Sequence, residues 1–323
     1  MFSRSLIATL LCIIGFGNAL AAEPDWPTRP IRLVVAFPPG GAADLVARSM
    51  AEKMSQELGQ PIIIDNRAGA ATTIASTFVA RAEPDGYTLY VGSMNLHGLD
   101  KVLYPSITYN GGKDFTPITR WVSSPMIVVV PKDSSFKTLG ELAEQGKFKP
   151  GTINYASAGN GTTTHQAPVY FQQVTGAKFF HIPYKGGSPA ITAMLSGDTQ
   201  VSFATPPTVL PHIKAGSLKA LAVTSSSRSS LFPEIPSASE SGVKNFDYRF
   251  WYGLYGPAKL PANIVNKLFS ASVQALNDPS VKSNLGRQGM EVAPSRSVDE
   301  FKALIAVDGP KTAEFGKLIG SLE

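Results

Sequence analysis

Two segments of the chain share one pattern: a short apolar run that breaks on glycine and leads into a helix-forming stretch. The first is Leu33-Val34-Val35-Ala36-Phe37-Pro38-Pro39-Gly40-Gly41, and the second is Ile153-Asn154-Tyr155-Ala156-Ser157-Ala158-Gly159-Asn160-Gly161. A strand that feeds a helix through a glycine-rich turn belongs to a parallel sheet covered by helices. In such sheets ligands sit outside the carboxyl ends of the strands. Two such units imply two α/β lobes with a cleft between them. The surrounding pattern agrees. Residues 31–37, 61–65 and 87–91 predict strands, and Leu45, Val46, Met50, Met54 and Leu58 recur at helical spacing up to Gly59. Residues 74–81 predict a helix, and 115–122 and 126–130 are apolar stretches parted by Ser123-Ser124-Pro125. Helices near 139–145, 163–174 and 189–195 alternate with strands at 152–156, 179–183 and 218–224. An aromatic strand at 246–255 precedes helices near 263–276 and 298–305.

At 323 residues there is enough chain for two such lobes, each with a core. Charged residues make up 16%, against about 25% in an ordinary globular chain. That excludes intrinsic disorder, and the formal charge of +5, with no Lys/Arg run, argues against nucleic-acid binding.

Arg4, an apolar run at 5–16 and Asn18-Ala19-Leu20-Ala21-Ala22 have the order of a cleavable export signal, residues 1–21. The run is too short to span a bilayer; the alternative is a buried N-terminal helix. Cys12, the only cysteine, lies within it, after Leu11 rather than the small residue a lipid-attachment signal needs. Its loss would exclude disulfides, Cys-ligated metals and a thiol nucleophile from the mature chain. A soluble periplasmic protein is expected.

Gly40, Gly41, Ala42 and Ala43 let backbone N–H groups face an anion at the start of a helix, and Asp44 falls in the first turn as a dipole partner or a ligand contact. The second turn adds Ser157, Asn160, Thr162, Thr163 and Thr164, which suit a carboxylate but are also favoured helix caps. Gly159-Asn160-Gly161 begins like a dinucleotide fingerprint, yet Thr164 stands at the third glycine position and no acid is placed for a ribose. Gly111-Gly112-Lys113 is not a phosphate loop. His97, His165, His181 and His212 are scattered without metal-ligand spacing, so neither metal nor cofactor is expected. No nucleophile elbow or nucleophile–base pair is legible. Tyr248, Phe250, Trp251 and Tyr252 read as a buried strand, with Tyr248, Phe250 and Tyr252 able to face one side.

With both turns in view, the chain resembles the tripartite tricarboxylate transporter substrate-binding proteins, the Bug family. The resemblance runs through WPTRPIRLVVAFPPGGAADLVAR (26–48), LGQPIIIDNRAGA (58–70), AEPDGYTLYVGS (82–93), ASAGNGTTTH (156–165), HIPYKGG (181–187), HIKAGSLKALAVTS (212–225) and WYGLYGP (251–257). It implies a type II-like periplasmic binding protein fold, each lobe a mostly parallel sheet flanked by helices. Residues 22–122 would form the first lobe, 123–224 the second, and 225–323 would return to complete the first. It further implies a monomer that closes over a small di-, tri- or aromatic carboxylate and hands it to a two-subunit membrane permease. The carboxylate is expected at Phe37, Pro39, Gly40, Gly41, Ala42, Ala43 and Asp44, and at Ser157, Ala158, Gly159, Asn160, Gly161, Thr162, Thr163 and His165. Tyr184 of Tyr184-Lys185-Gly186, with Ser93, Asn95 and Thr205, completes the expected lining. The family often carries an acid where this chain has Ala204-Thr205-Pro206-Pro207, which favours a purely acidic ligand over an amino-bearing one. Asp65-Asn66-Arg67-Ala68-Gly69 replaces the family's Glu-Asn-Arg-Pro-Gly and is expected to order the lobe rather than touch ligand. A secreted hydrolase of carboxylated substrates and a ligand-binding partner of a membrane sensor are the competing readings.

Overall fold

A computed structural model describes residues 26–322; the expected export signal and Cys12 lie outside the described residues. The first half runs β1 (Ile31–Val35), α1 (Ala42–Leu58), β2 (Ile62–Asn66), α2 (Thr73–Ala80), β3 (Thr88–Ser93), α3 (Leu99–Leu103), β4 (Phe115–Pro125), β5 (Ile127–Pro131), α4 (Leu139–Phe148) and β6 (Asn154–Ser157). It continues with α5 (Thr163–Thr175), β7 (Phe180–Pro183), α6 (Gly187–Leu195), β8 (Val201–Ala204), α7 (Pro206–Lys214) and β9 (Leu218–Val223). The last part is β10 (Arg249–Pro257), α8 (Ala262–Asn277), α9 (Pro279–Arg287) and α10 (Val298–Leu322).

Two five-stranded sheets form, in the orders β2-β1-β3-β10-β4 and β7-β6-β8-β5-β9. Each has a parallel trio at one edge (β2-β1-β3 and β7-β6-β8) and one reversed strand, β10 or β5, beside it. The two orders are the same plan, with β6 standing where β1 does, so the two glycine-rich turns occupy equivalent places in the two lobes. The reversed strand of each sheet arrives from the other lobe. Thr224 ties these crossings together: its hydroxyl accepts from the Met126 N–H at 2.8 Å and donates to Tyr248 O at 2.7 Å.

Ser123-Ser124-Pro125 is strand rather than a break. Ser123 and Ser124 pair with Trp251 and Phe250 of β10, which leaves Met126 alone between β4 and β5. Helix α7 escapes sequence reading because Pro206 and Pro207 look like breakers. At the first helical positions they have no needed N–H to lose. Helix α10 runs well beyond the expected 298–305 and packs on both α3 and α5. Leu99, Val169 and Ile319 form a small apolar cluster where those three helices meet. Among the described residues no helix is long and apolar enough to cross a membrane.

Asp100 of α3 is fully buried. Its Oδ2 accepts from Tyr109 Oη at 2.6 Å and from Thr72 Oγ1 at 3.3 Å, while Oδ1 has no partner among the described residues. Burial pushes this carboxyl up to about 7, against the hydrogen bonds that favour its anion. The folded state therefore prefers neutral Asp100, and stability is lost as pH rises through that value. Asp100→Asn should raise stability by about 1–3 kcal/mol at pH 8, with the gain shrinking toward pH 4. Urea titrations at both pH values check this; an equal gain at both would remove the carboxyl as its source.

Candidate functional site

The first turn owes its shape to its glycines and to the first residues of α1. Gly40 adopts φ +80°, a left-handed conformation that admits glycine freely, and Gly41 caps α1 without a side chain. Asp44 closes the turn from behind. Its Oδ2 accepts from the Gly40 N–H and from Arg48 Nε, each at 2.9 Å, and its Oδ1 accepts from Asn66 Nδ2 at 2.9 Å. Asn66 also donates to Phe37 O at 3.0 Å. Burial opposes ionisation of Asp44, but the bonds from Arg48, Gly40 and Asn66 and the Arg48 charge together outweigh it and hold the carboxyl below its usual range. The Ala42 and Ala43 N–H groups remain without intrahelical acceptors, at the positive end of α1.

In the second turn, most of the polar side chains hold the loop itself. Ser157 Oγ accepts from the Gly159 N–H at 3.1 Å and bonds His181 Nε2 at 2.6 Å. Thr164 Oγ1 accepts from the Ala158 N–H, and Thr162 Oγ1 donates to Gly159 O, both at 2.8 Å. The Gly161 N–H donates to His165 Nδ1 at 3.1 Å, and the His165 ring stacks on His181 at 3.7 Å. Burial, with the His181 charge second, lowers His165 to about 3; burial lowers His181 to about 4. Both imidazoles are therefore neutral near pH 7, so His165 can accept that proton.

The second turn is also anchored across the lobes. Asn95 Nδ2 donates to Gly161 O at 2.9 Å, and Gln166 Nε2 donates to Asn95 Oδ1 at 2.6 Å and to Gly161 O at 3.0 Å. A Cβ at Gly161, itself at φ +73°, would sit 2.6 Å from Leu103 Cδ1 of the first lobe.

Between the lobes lies a cavity of about 250 Å³. Of the expected residues, Phe37, Pro39, Gly41, Ala42, Ala43, Ala158, Thr162, Thr163 and Thr205 line it. Thr164, Lys185, Ser188, Thr208 and Tyr252 join them. An adjoining cavity of about 390 Å³ takes in Gly159, Asn160 and Tyr184. Its far wall is residues 68–72, so the end of the Asp65–Gly69 loop borders this cavity; Ala70, Ala71 and Thr72 there have φ of 43°, 48° and 92°. Gly40, Asp44, Ser93, Asn95, Ser157, Gly161 and His165 line neither cavity. The polar groups described above are engaged in the turns, and Ser93 is buried in the ladder opposite Tyr252. Lys185 belongs to the Tyr184-Lys185-Gly186 stretch of the family resemblance, whereas Ser188 and Thr208 carried no distinguishing pattern along the chain; they meet the cavity because α6 and α7 begin there.

Four helices, α1, α5, α6 and α7, thus start at this cavity, while among the described residues no acidic side chain lines it and Lys185 adds a cation. Each start carries roughly half a positive charge. Such an arrangement suits an anion. A larger groove of about 920 Å³ lies near Arg29, Arg32 and Thr88, at the amino ends of β1 and β3. It is at the wrong end of the strands for such a site. The Ser157–His181 contact is a nucleophile–base pair that the sequence did not reveal. However, Ser157 is fully buried behind the cavity wall and its oxygen already serves the Gly159 N–H.

Residues 46–320 match the model of the tripartite tricarboxylate transporter family receptors. Protein BugT of Bordetella pertussis (strain Tohama I) is 34% identical over 287 residues, which are 87% of this chain and 88% of BugT. The structure of MatC from Rhodopseudomonas palustris with bound malate superposes with a TM-score of 0.83 at 31% identity, covering 90% of this chain and all of that one (100%). That of R. palustris Rpa4515 with adipate gives 0.86 at 28% identity, covering 92% and 99%. A two-lobed α/β fold, a cavity at its paired glycine-rich turns and these likenesses converge: the chain belongs to the tripartite tricarboxylate transporter receptors, the Bug family of solute-binding proteins.

Proposed function

We propose that this protein is exported by a cleavable N-terminal signal, captures a small carboxylate between its lobes in the periplasm, and delivers it unchanged to a two-subunit membrane permease. It acts as a monomer whose two lobes are built on the two sheets, β2-β1-β3-β10-β4 and β7-β6-β8-β5-β9. The observation that carries the reading is the convergence of four helix starts on a cavity free of acidic side chains. The malate held by MatC and the adipate held by Rpa4515 support a carboxylate as the anion. Ala204 and Thr205 at the end of β8 offer no carboxylate to an ammonium group, which favours a ligand without an amine.

The energetics are adequate without an arginine clamp. Hydrogen bonds to a charged group contribute about 1.5–3 kcal/mol each, and micromolar binding needs about 8.2 kcal/mol net. A few N–H and hydroxyl bonds from both lobes reach that after ordering costs.

Gly41 separates a tolerated change from a blocking one. Its φ is −79°, and an added Cβ would meet Pro38 O at 3.4 Å, an ordinary contact. Gly41→Ala should therefore bind nearly as the wild type does, whereas Gly41→Asp should abolish binding with the fold intact, because its carboxylate would occupy the cradle. Calorimetry against malate, succinate and adipate tests this; unchanged affinity in Gly41→Asp would overturn the first-turn site. Asp44→Ala should cost about 1–3 kcal/mol of stability, since it orphans Gly40, Arg48 and Asn66 donors. It should also weaken ligand binding roughly tenfold, through the turn rather than by contact. Unaltered affinity would mean that the turn holds its shape without Asp44.

A further inference from the structure

Tyr252 lies on β10, where it pairs with Ser93 of β3 and Val122 of β4, so its backbone is held in mid-sheet. Its ring meets Phe37 edge-on at 6.4 Å and Phe250 at 5.5 Å. Only 3% of the residue is exposed, and the open space it borders is the cavity between the lobes.

Four other buried tyrosines of the same lobe each have a partner for the hydroxyl. Tyr90 bonds Ser76 at 3.1 Å, Tyr109 bonds Asp100 at 2.6 Å, Tyr248 bonds Gln166 at 3.3 Å and Tyr255 bonds His97 at 2.9 Å. The Tyr252 hydroxyl has none among the described residues, yet its oxygen is not sealed from open space. A buried hydroxyl without a partner is unfavourable, so its partner has to come with the contents of the cavity. Burial raises the phenol well above its ordinary range, which keeps the proton on the oxygen and makes it a donor.

We propose that Tyr252 is a specificity-determining residue whose hydroxyl bonds a neutral oxygen on the ligand's carbon skeleton, so that the site selects hydroxy- or oxo-carboxylates over their unsubstituted counterparts. A division of labour in the wall assigns it to a neutral oxygen. Carboxylates are served by the N–H groups at the starts of α1, α5 and α6, whereas α7 opens on Pro206 and Pro207 and adds only its dipole. Tyr252 comes from a strand and sits among the aromatic rings of Phe37 and Phe250, with no charge of its own. The inference rests on the carboxylate-binding reading and refines it.

The test is calorimetry of wild type and Tyr252→Phe with matched pairs: malate and succinate, 2-oxoglutarate and glutarate, mandelate and phenylacetate. Phenylalanine keeps the ring packing, and thermal melts confirm the fold. The wild type should bind the oxygenated member of its preferred pair about tenfold more tightly. Tyr252→Phe should level that pair by weakening the oxygenated member alone, while affinity for the unsubstituted member stays. Equal affinities in the wild type, a preference that survives in Tyr252→Phe, or equal loss for both members would each overturn the role of Tyr252. If the wild type binds no member of any pair, the carboxylate reading falls and this inference with it.

Discussion

The N–H groups of a helix's first turn cannot be satisfied within the helix, and much of this molecule is arranged around where those groups point. A parallel strand followed by its helix returns the chain so that helices begin at the carboxyl edge of the sheet. Both lobes use the same strand plan, and their carboxyl edges face one another across the cleft. The starts of α1, α5, α6 and α7 are thereby brought to one cavity. Positive potential accumulates there without arginine, in a chain with few charges and a small net excess.

Such a cradle works only if its loops keep their shape with few side chains inside. The polar residues behind the wall supply that rigidity. Asp44, Arg48 and Asn66 brace the first turn, while Ser157, His181 and His165 brace the second. The Asn95–Gln166 pair then ties the second turn to the opposite lobe. Close packing of Gly161 on Leu103, together with the Leu99–Val169–Ile319 cluster, pins one side of the lobe contact. On the other side, Pro38 and Pro39 border the cavity together with Lys185–Pro189, and Pro38 lies close to Gly186. The Thr224 hydroxyl links the crossing strands.

Much of this architecture was legible along the chain. Residues 31–37 with Gly40-Gly41, and 152–156 with Gly159 and Gly161, mark both strand–turn–helix units, because β-branched runs and glycine breaks are local signals. Local signals misled at prolines. Ser123-Ser124-Pro125 belongs to a paired strand, and Pro206-Pro207 opens a helix instead of preventing one. The candidate site was legible as two turns but not as a cavity. Lys185, Ser188, Thr208 and Tyr252 come from separate elements, and no spacing in sequence relates them to Gly41 or Thr163. Conversely, Asp44, Asn95 and His165 have the chemistry of ligand contacts, yet their polar atoms are engaged in holding the turns.

The repeated strand–glycine–helix unit, the low charge content and the donors available at each turn are properties of the chain alone, because they depend on neighbouring residues and on backbone preferences. Which of those donors remain free is a property of the fold. That choice depends on partners far along the chain, such as Asn66 for Asp44 and His181 for Ser157. The Tyr252 hydroxyl is the clearest case. In sequence it is one aromatic among four. In the folded chain it is a buried donor facing the cavity, because β10 returns from the second lobe and inserts between β3 and β4.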